Sequence, residues 1–273
     1  MPHWKIILSY DGTPYNGWQI QPQLPTIQGT LAQAIHRITG EDVLPQGSGR
    51  TDTGVHALAQ VATFSLTIPI PAANLHRALN HALPPSIRVL SVSPAPPHFH
   101  ARHSALRKTY EYRILPGERI CSPMLAPYVW ACPLPLDLAL LQQAAAHVLG
   151  THDFTSFAAA DPDLTTRTQA DPPPPSANTR TLHHSAWRQQ DDLFLYEVTG
   201  NGFLHHMVRN LVGTFVQIGA GRISSHAIPT ILAARNRSAA GPTAPPQGLF
   251  LLEVEYKDPD RREDPHPPPP QAS

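Results

Sequence analysis

The residues able to do chemistry concentrate in Gly49-Arg50-Thr51-Asp52-Thr53-Gly54-Val55-His56-Ala57. Nine positions hold a carboxylate, a guanidinium, two hydroxyls and two glycines. An alternating apolar run follows directly, with Ala57, Ala59, Val61 and Thr63 on one side and Leu58, Gln60, Ala62 and Phe64 on the other. That alternation predicts a strand. The polar cluster is therefore a loop feeding a strand, and loops on a rigid scaffold are where chemistry concentrates. Arg50 and Asp52 are two apart and share a side in extended backbone. The alternative is a turn in which Asp52 accepts backbone N–H bonds.

Three further groupings carry chemical potential. His98, His100 and His103 are close enough to suggest a metal site, but no carboxylate or cysteine joins them at ligand spacing. Arg102, Arg107, Lys108 and Arg113 face a single acid, Glu111, with Tyr110 and Tyr112 interleaved. Basic plus aromatic is the pattern of a single-stranded RNA contact; a solvated strand with its tyrosines packed on a sheet fits equally. His205 and Arg209 lie four apart on one shoulder of an apolar stripe, and a half-buried arginine calls for an anion. His152, Asp153 and the hydroxyls after them resemble a hydrolase set only by adjacency, which is not triad geometry.

The elements that must position these groups follow from spacing. Residues 4–10 predict a strand ending at the turn pair Asp11-Gly12. The loop from Tyr10 to Gln19 holds two tyrosines and Trp18, expected to be buried beneath it. Thr26 caps a helix carrying Ile27, Leu31, Ile35 and Ile38, closed by Gly40. A short strand is expected over 42–46, the main strand to about 68, a helix over 72–83 and a strand over 87–92. The first hundred residues thus read β–α–β–β–α–β, an α+β pattern. Further on, a strand over 105–115, a helix over 136–149 closed by Gly150, and a hairpin over 181–199 are expected. A helix over 203–218, a short helix over 224–234 and a closing strand over 248–256 complete the second part. The halves rhyme in element order, without a repeat in the residues. A boundary is expected at 94–97, with lobes taken as 1–104 and 105–257. A proline-rich insertion is expected at about 158–178 and a disordered tail at 258–273.

Composition sets limits. Of 273 residues, 41% are hydrophobic and 15% charged, with a formal net charge of zero. That balance argues against a polyanion partner unless a local basic patch forms. Two cysteines make neither a disulfide framework nor a zinc set. No apolar run has the length of a membrane span, and a cytoplasmic protein is expected.

An ordered set of motifs resembles the TruA family of tRNA pseudouridine synthases over about residues 4–256. The set comprises Tyr10-Asp11-Gly12-Thr13 with Gly17-Trp18-Gln19, then Thr26-Ile27-Gln28-Gly29, the Asp52 loop and Lys108-Thr109-Tyr110-Glu111-Tyr112. Gly150 to Phe157, Asn201 to Asn210 and Gly248-Leu249-Phe250-Leu251 follow in order. The resemblance implies a pseudouridine synthase fold with two similar lobes, each a mainly antiparallel sheet with helices, and a cleft between them. It implies conversion of uridine to pseudouridine at positions 38, 39 and 40 of the tRNA anticodon arm, by a homodimer with no cofactor, no metal and no membrane partner. Asp52 would be the nucleophile, Arg209 its ion partner and Tyr110 the stacking partner of uracil, with a possible part in moving the C5 proton. Arg50 would orient the loop or hold the flipped nucleotide. Arg102, Arg107 and Lys108 would converge on one face to bind RNA, with His205 beside them, while Leu249 and Phe250 would be apolar walls. A catalytically inactive tRNA-binding relative is the alternative. A metal hydrolase using His98, His100, His103 and Asp153 is a distant third.

Overall fold

The computed structural model describes residues 1–159 and 177–257. The first half forms as its spacing requires. β1 (His3–Tyr10) alternates half-buried and buried positions along its whole length, as a strand with one face in a core must. α1 (Ile27–Thr39) starts at Thr26, whose side chain accepts from Gly29 N, and stops at Gly40, which takes φ 73. β2 (Gln46–Gly47), β3 (His56–Ser65), α2 (Ala72–Ala82) and β4 (Ile87–Pro94) follow in the expected order. The strand expected over 42–46 shrinks to β2, since Pro45 has no N–H to give a ladder. Tyr10, Tyr15 and Trp18 are buried beneath their loop as expected.

The second half comprises β5 (Ala105–Pro116), β6 (Trp130–Cys132), α3 (Leu138–Ala146), β7 (Gly150–Asp153), β8 (Thr179–Gln190) and β9 (Leu193–Gly200). It ends with α4 (Met207–Gly219), α5 (Ile228–Ala234) and β10 (Leu249–Tyr256). Two expectations fail here. Gly150 does not close the helix before it; that helix ends at Ala146, and Gly150 opens β7, paired with β8. The helix expected from Phe203 begins only at Met207, because His206 takes φ 58 and ψ 6 and breaks the helical path. The proline-rich insertion, apart from its edges, and the tail at 258–273 lie outside the described residues.

The strands join in one ten-stranded sheet of order β4-β1-β3-β10-β5-β9-β8-β7, with β2 on β3 and β6 on β5. The expected α+β class is therefore observed, but the two expected sheets are flanks of one. They meet where β10 runs parallel to β3, with Phe250 opposite His56 and Leu251 opposite Ala57. Alternation along β5 then fixes which groups share a face. Tyr110 and Tyr112 point toward the helices: the Tyr110 ring packs edge-on against Phe203 at 5.0 Å, and Tyr112 Oη donates to Pro245 O at 2.6 Å. Glu111 and Arg113 point to the opposite face.

α4 is buried on nearly all sides, so it is a core helix. Phe215 on it meets Tyr196 at 5.2 Å, and Gly213 lets the backbone of 242–244 lie against it. A Cβ at Gly213 would overlap Pro242 O and come within 3.2 Å of Ala244 N. Alanine favours a helix over glycine by about 1 kcal/mol, whereas overpacking against backbone costs about 1–3 kcal/mol. The overlap should win. Gly213→Ala is expected to lower the urea-unfolding free energy by about 1–2 kcal/mol; a rise would show that the 242–244 segment yields freely.

Candidate active site

The Asp52 loop is pinned from three sides. Thr51 Oγ1 lies 2.8 Å from Tyr10 Oη, and Thr51 O accepts from Trp18 N at 2.9 Å. Gln60 Nε2 donates to Gly49 O at 3.0 Å, and its Oε1 accepts from Ser48 Oγ at 2.6 Å. Gly17, at φ 81, lets its backbone reach Thr51 O; a Cβ there would stand 2.6 Å from it. The turn itself closes with Val55 N donating to Asp52 O at 3.1 Å. The carboxylate of Asp52 takes no part in that closure. It points to the first turn of α4.

There Arg209 Nη1 donates to Asp52 Oδ2 at 2.8 Å, with the two side chains 13% and 19% exposed. Arg209 is itself held, its Nε donating to Ala244 O at 2.8 Å. The positive end of a helix adds to the field at that carboxylate. His206 Nε2 lies 3.4 Å from Asp52 Oδ2 and His205 Nε2 lies 3.7 Å from Oδ1. The two imidazoles overlap at 3.9 Å between centroids. His205 thus reaches the site from the loop before α4, not from helical spacing with Arg209. His206 was missed by sequence reasoning; only its place beside His205 in the motif could have drawn attention to it.

Tyr110 lies near the carboxylate. Burial drives its phenol well above the usual range, and the charges of Tyr10 and Asp52 push the same way. It can offer a ring and a donor hydroxyl, but it is a poor base. Lys108 Nζ donates to Ser48 O at 2.6 Å; burial first, then Arg102 and Arg180, lower its pKa to about 8. Lys108, Arg102 and Arg180 thus form one positive region, and Arg180 was not anticipated. Arg107 does not join them: it pairs in register directly beside Lys108 in the ladder with β10, so its side chain takes the other side of the sheet. Arg50 is exposed on the loop. Leu249 is buried opposite Tyr112 in the ladder. Phe250 is no wall of this site; it stacks on His56 at 4.7 Å and lies under Arg113 on the far face.

The other sequence candidates do not assemble. Asp153 Oδ2 pairs with Arg235 at 3.0 Å and Asp153 Oδ1 accepts from Thr155, which leaves no triad with Ser156, whose Oγ donates to Ile231 O. His100 and His103 stack on each other at 4.4 Å without an acid. Among the described residues, the one group with metal-ligand spacing is Asp52, His205 and His206, and there Arg209 already places a fixed positive charge on the carboxylate.

A half-buried aspartate clamped by an arginine, beside an aromatic ring and a positive region, defines a site for polar chemistry on an anionic substrate. Comparison with known proteins is specific. A family model described as tRNA pseudouridine synthase matches residues 6–104 and 144–257. A protein of Solibacter usitatus named tRNA pseudouridine synthase A is 45% identical over 253 residues, covering 92% of this chain and 98% of its own. Proteins of the same name from Moorella thermoacetica and Rhodopseudomonas palustris are 44% and 41% identical; each alignment covers 94% of this chain and all of the relative. The chain belongs to the tRNA pseudouridine synthase family.

The Asp52–Arg209 pair is well enough sheltered to contribute to stability. A double-mutant cycle with Asp52→Ala and Arg209→Ala should return a coupling of about 1–3 kcal/mol in denaturant unfolding. Additive single effects would mean that the pair adds nothing to the fold.

Proposed function

We propose that this chain isomerises uridine to pseudouridine at positions 38, 39 and 40 in the anticodon arm of tRNA, with Asp52 as the nucleophile. One observation carries the assignment of roles: Asp52 is clamped through Oδ2 by Arg209, which leaves Oδ1 turned away from that bond as the oxygen to react. A carboxylate can form and release a covalent adduct, or assist departure of the base. The reaction breaks the N1–C1′ bond, turns the uracil and joins C5 to C1′. It is redox-neutral, so it consumes no oxidant or reductant. The catalytically inactive alternative does not explain why Asp52, Arg209 and Tyr110 are brought together.

The substrate base must leave its stack, at a cost of a few kcal/mol. Tyr110 and Leu249 would offer the ring and wall that receive it, with Arg50 and His205 at the edge. Lys108, Arg102 and Arg180 would neutralise backbone phosphates. This local region answers the zero net charge of the chain. The residues before and after about position 104 would act as two lobes that share the sheet.

The working unit in this reading is a cytoplasmic homodimer. No helix of the described residues is long and apolar enough to cross a membrane. The sheet face away from the helices carries a cavity of about 820 Å³ lined in part by Leu58, Leu193, Leu195 and Leu252. Leu58 is 44% exposed, and Ile120 on the cavity rim is fully so. Glu111 there is neutralised by Arg113 and Arg188, each at 2.8 Å. A partly apolar face whose lining acids, Glu111, Asp191 and Asp192, are matched by Arg113, Arg119 and Arg188 suits a second copy of the chain.

Two measurements test these statements. Tritium at uracil C5 of tRNA should be released to water by the wild type and not by Asp52→Ala, because C5 must lose its hydrogen when it bonds C1′. Release by that variant would overturn the role of Asp52, and none by folded wild type would leave a binding protein. In sedimentation, Leu58→Glu with Leu252→Glu should halve the mass of the particle. An unchanged dimer would place the interface elsewhere, and a monomeric wild type would end the dimer proposal.

A further inference from the structure

The isomerase reading, on which this inference rests, leaves one step without a residue. Once C5 has bonded C1′, C5 is tetrahedral and carries both C1′ and hydrogen, while the ring holds a C6=N1 double bond. A base must take the C5 proton. The C5–H electron pair becomes the C5=C6 bond, the C6=N1 pair moves to N1, and N1 takes a proton. One proton leaves C5, one arrives at N1, and nothing is oxidised or reduced.

Tyr110 is ill suited to that step, because burial holds its hydroxyl protonated. Arg209 offers only N–H donors and no lone pair to take a proton. His206 is placed differently. It is the residue before the first turn of α4, where a capping side chain normally bonds a free N–H. It makes no such bond, and it takes φ 58 and ψ 6, a conformation that a residue with a Cβ avoids. That backbone turns the imidazole away from the helix end and puts Nε2 3.4 Å from Asp52 Oδ2. The same strain would have no use if His206 served only the helix, since Gly or Asn would fit better. The groups facing it are Asp52 from the loop, His205 beside it, Arg209 on α4 and Arg237 from the turn at 237–239. Burial lowers its pKa against the pull of Asp52, which favours the neutral ring; with Nε2–H toward the carboxylate, the lone pair that accepts a proton is on Nδ1. The imidazolium formed would be stabilised by the Asp52 carboxylate.

We infer that His206 is the base that takes the proton from uracil C5, and that it passes a proton on toward N1 or to water. Removing a positioned base typically costs 10²–10⁴-fold in rate. The test uses tRNA carrying uridine, 5-deuterouridine or 5-fluorouridine with the full-length protein in single turnover. Fluorine cannot leave as a cation, so 5-fluorouridine reports C1′ transfer to C5 without any C5 deprotonation. His206→Asn and His206→Gly both tolerate the left-handed backbone. Each should convert uridine at least about 10²-fold more slowly than wild type and show a primary deuterium effect at C5 larger than the wild type's. Each should consume 5-fluorouridine at close to the wild-type rate. If uridine and 5-fluorouridine slow together in both variants, His206 only supports Asp52 or the fold, and the inference is overturned. Unchanged conversion of uridine also overturns it. Absence of any reaction by the wild type would instead remove the isomerase reading.

Discussion

The contact between Asp52 and Arg209 is the constraint on which the rest depends. Its partners are 157 residues apart in sequence. One belongs to a loop on the β3 flank of the sheet and the other to a core helix on the β5 flank. A carboxylate at 19% exposure has lost much of its water, and the guanidinium replaces it with a directed bond. The pair therefore both seats a reactive group and ties the two flanks at the place where they meet.

Everything near the pair serves to keep it in register. β3 and β10 form a short parallel seam, which starts on the β3 side at His56, four residues after Asp52. Tyr10, Trp18 and Gln60 hold the backbone of the loop, so the carboxylate is not needed for its own turn. On the other side, Ala244 O fixes Arg209 Nε, and Gly213 lets the segment bearing Ala244 lie against α4. A guanidinium held by two bonds in one plane cannot drift as a lysine would.

The sheet also separates two kinds of surface. Tyr110, Tyr112 and Leu249 face the helices and the carboxylate. Glu111, Arg113 and Phe250 face away, where His56 stacks on Phe250 and joins Gly12 N and Pro127 O through its two ring nitrogens. His56 follows Asp52 by four residues, yet it works on the opposite face. The signature stretch thus serves two surfaces at once, chemistry on one and a neutral, partly apolar face on the other.

Much of this was legible in the residues. The Thr26 cap and Gly40 fixed α1, and alternation fixed β3, because each signal is local. Arg107 was legible too: adjacent strand residues face opposite ways, and grouping it with Lys108 by charge ignored that. The motif order was enough to place the chain in its family. What the sequence could not determine is set by distant contacts and by single backbone angles. The pairing of Arg209 with Asp52 came from the family resemblance and from no spacing of residues; that Arg180 joins Lys108, and that two sets of strands fuse into one sheet, depend on long-range packing. That α4 begins at Met207 depends on one left-handed residue, His206, a backbone angle that the spacing of the apolar stripe does not encode.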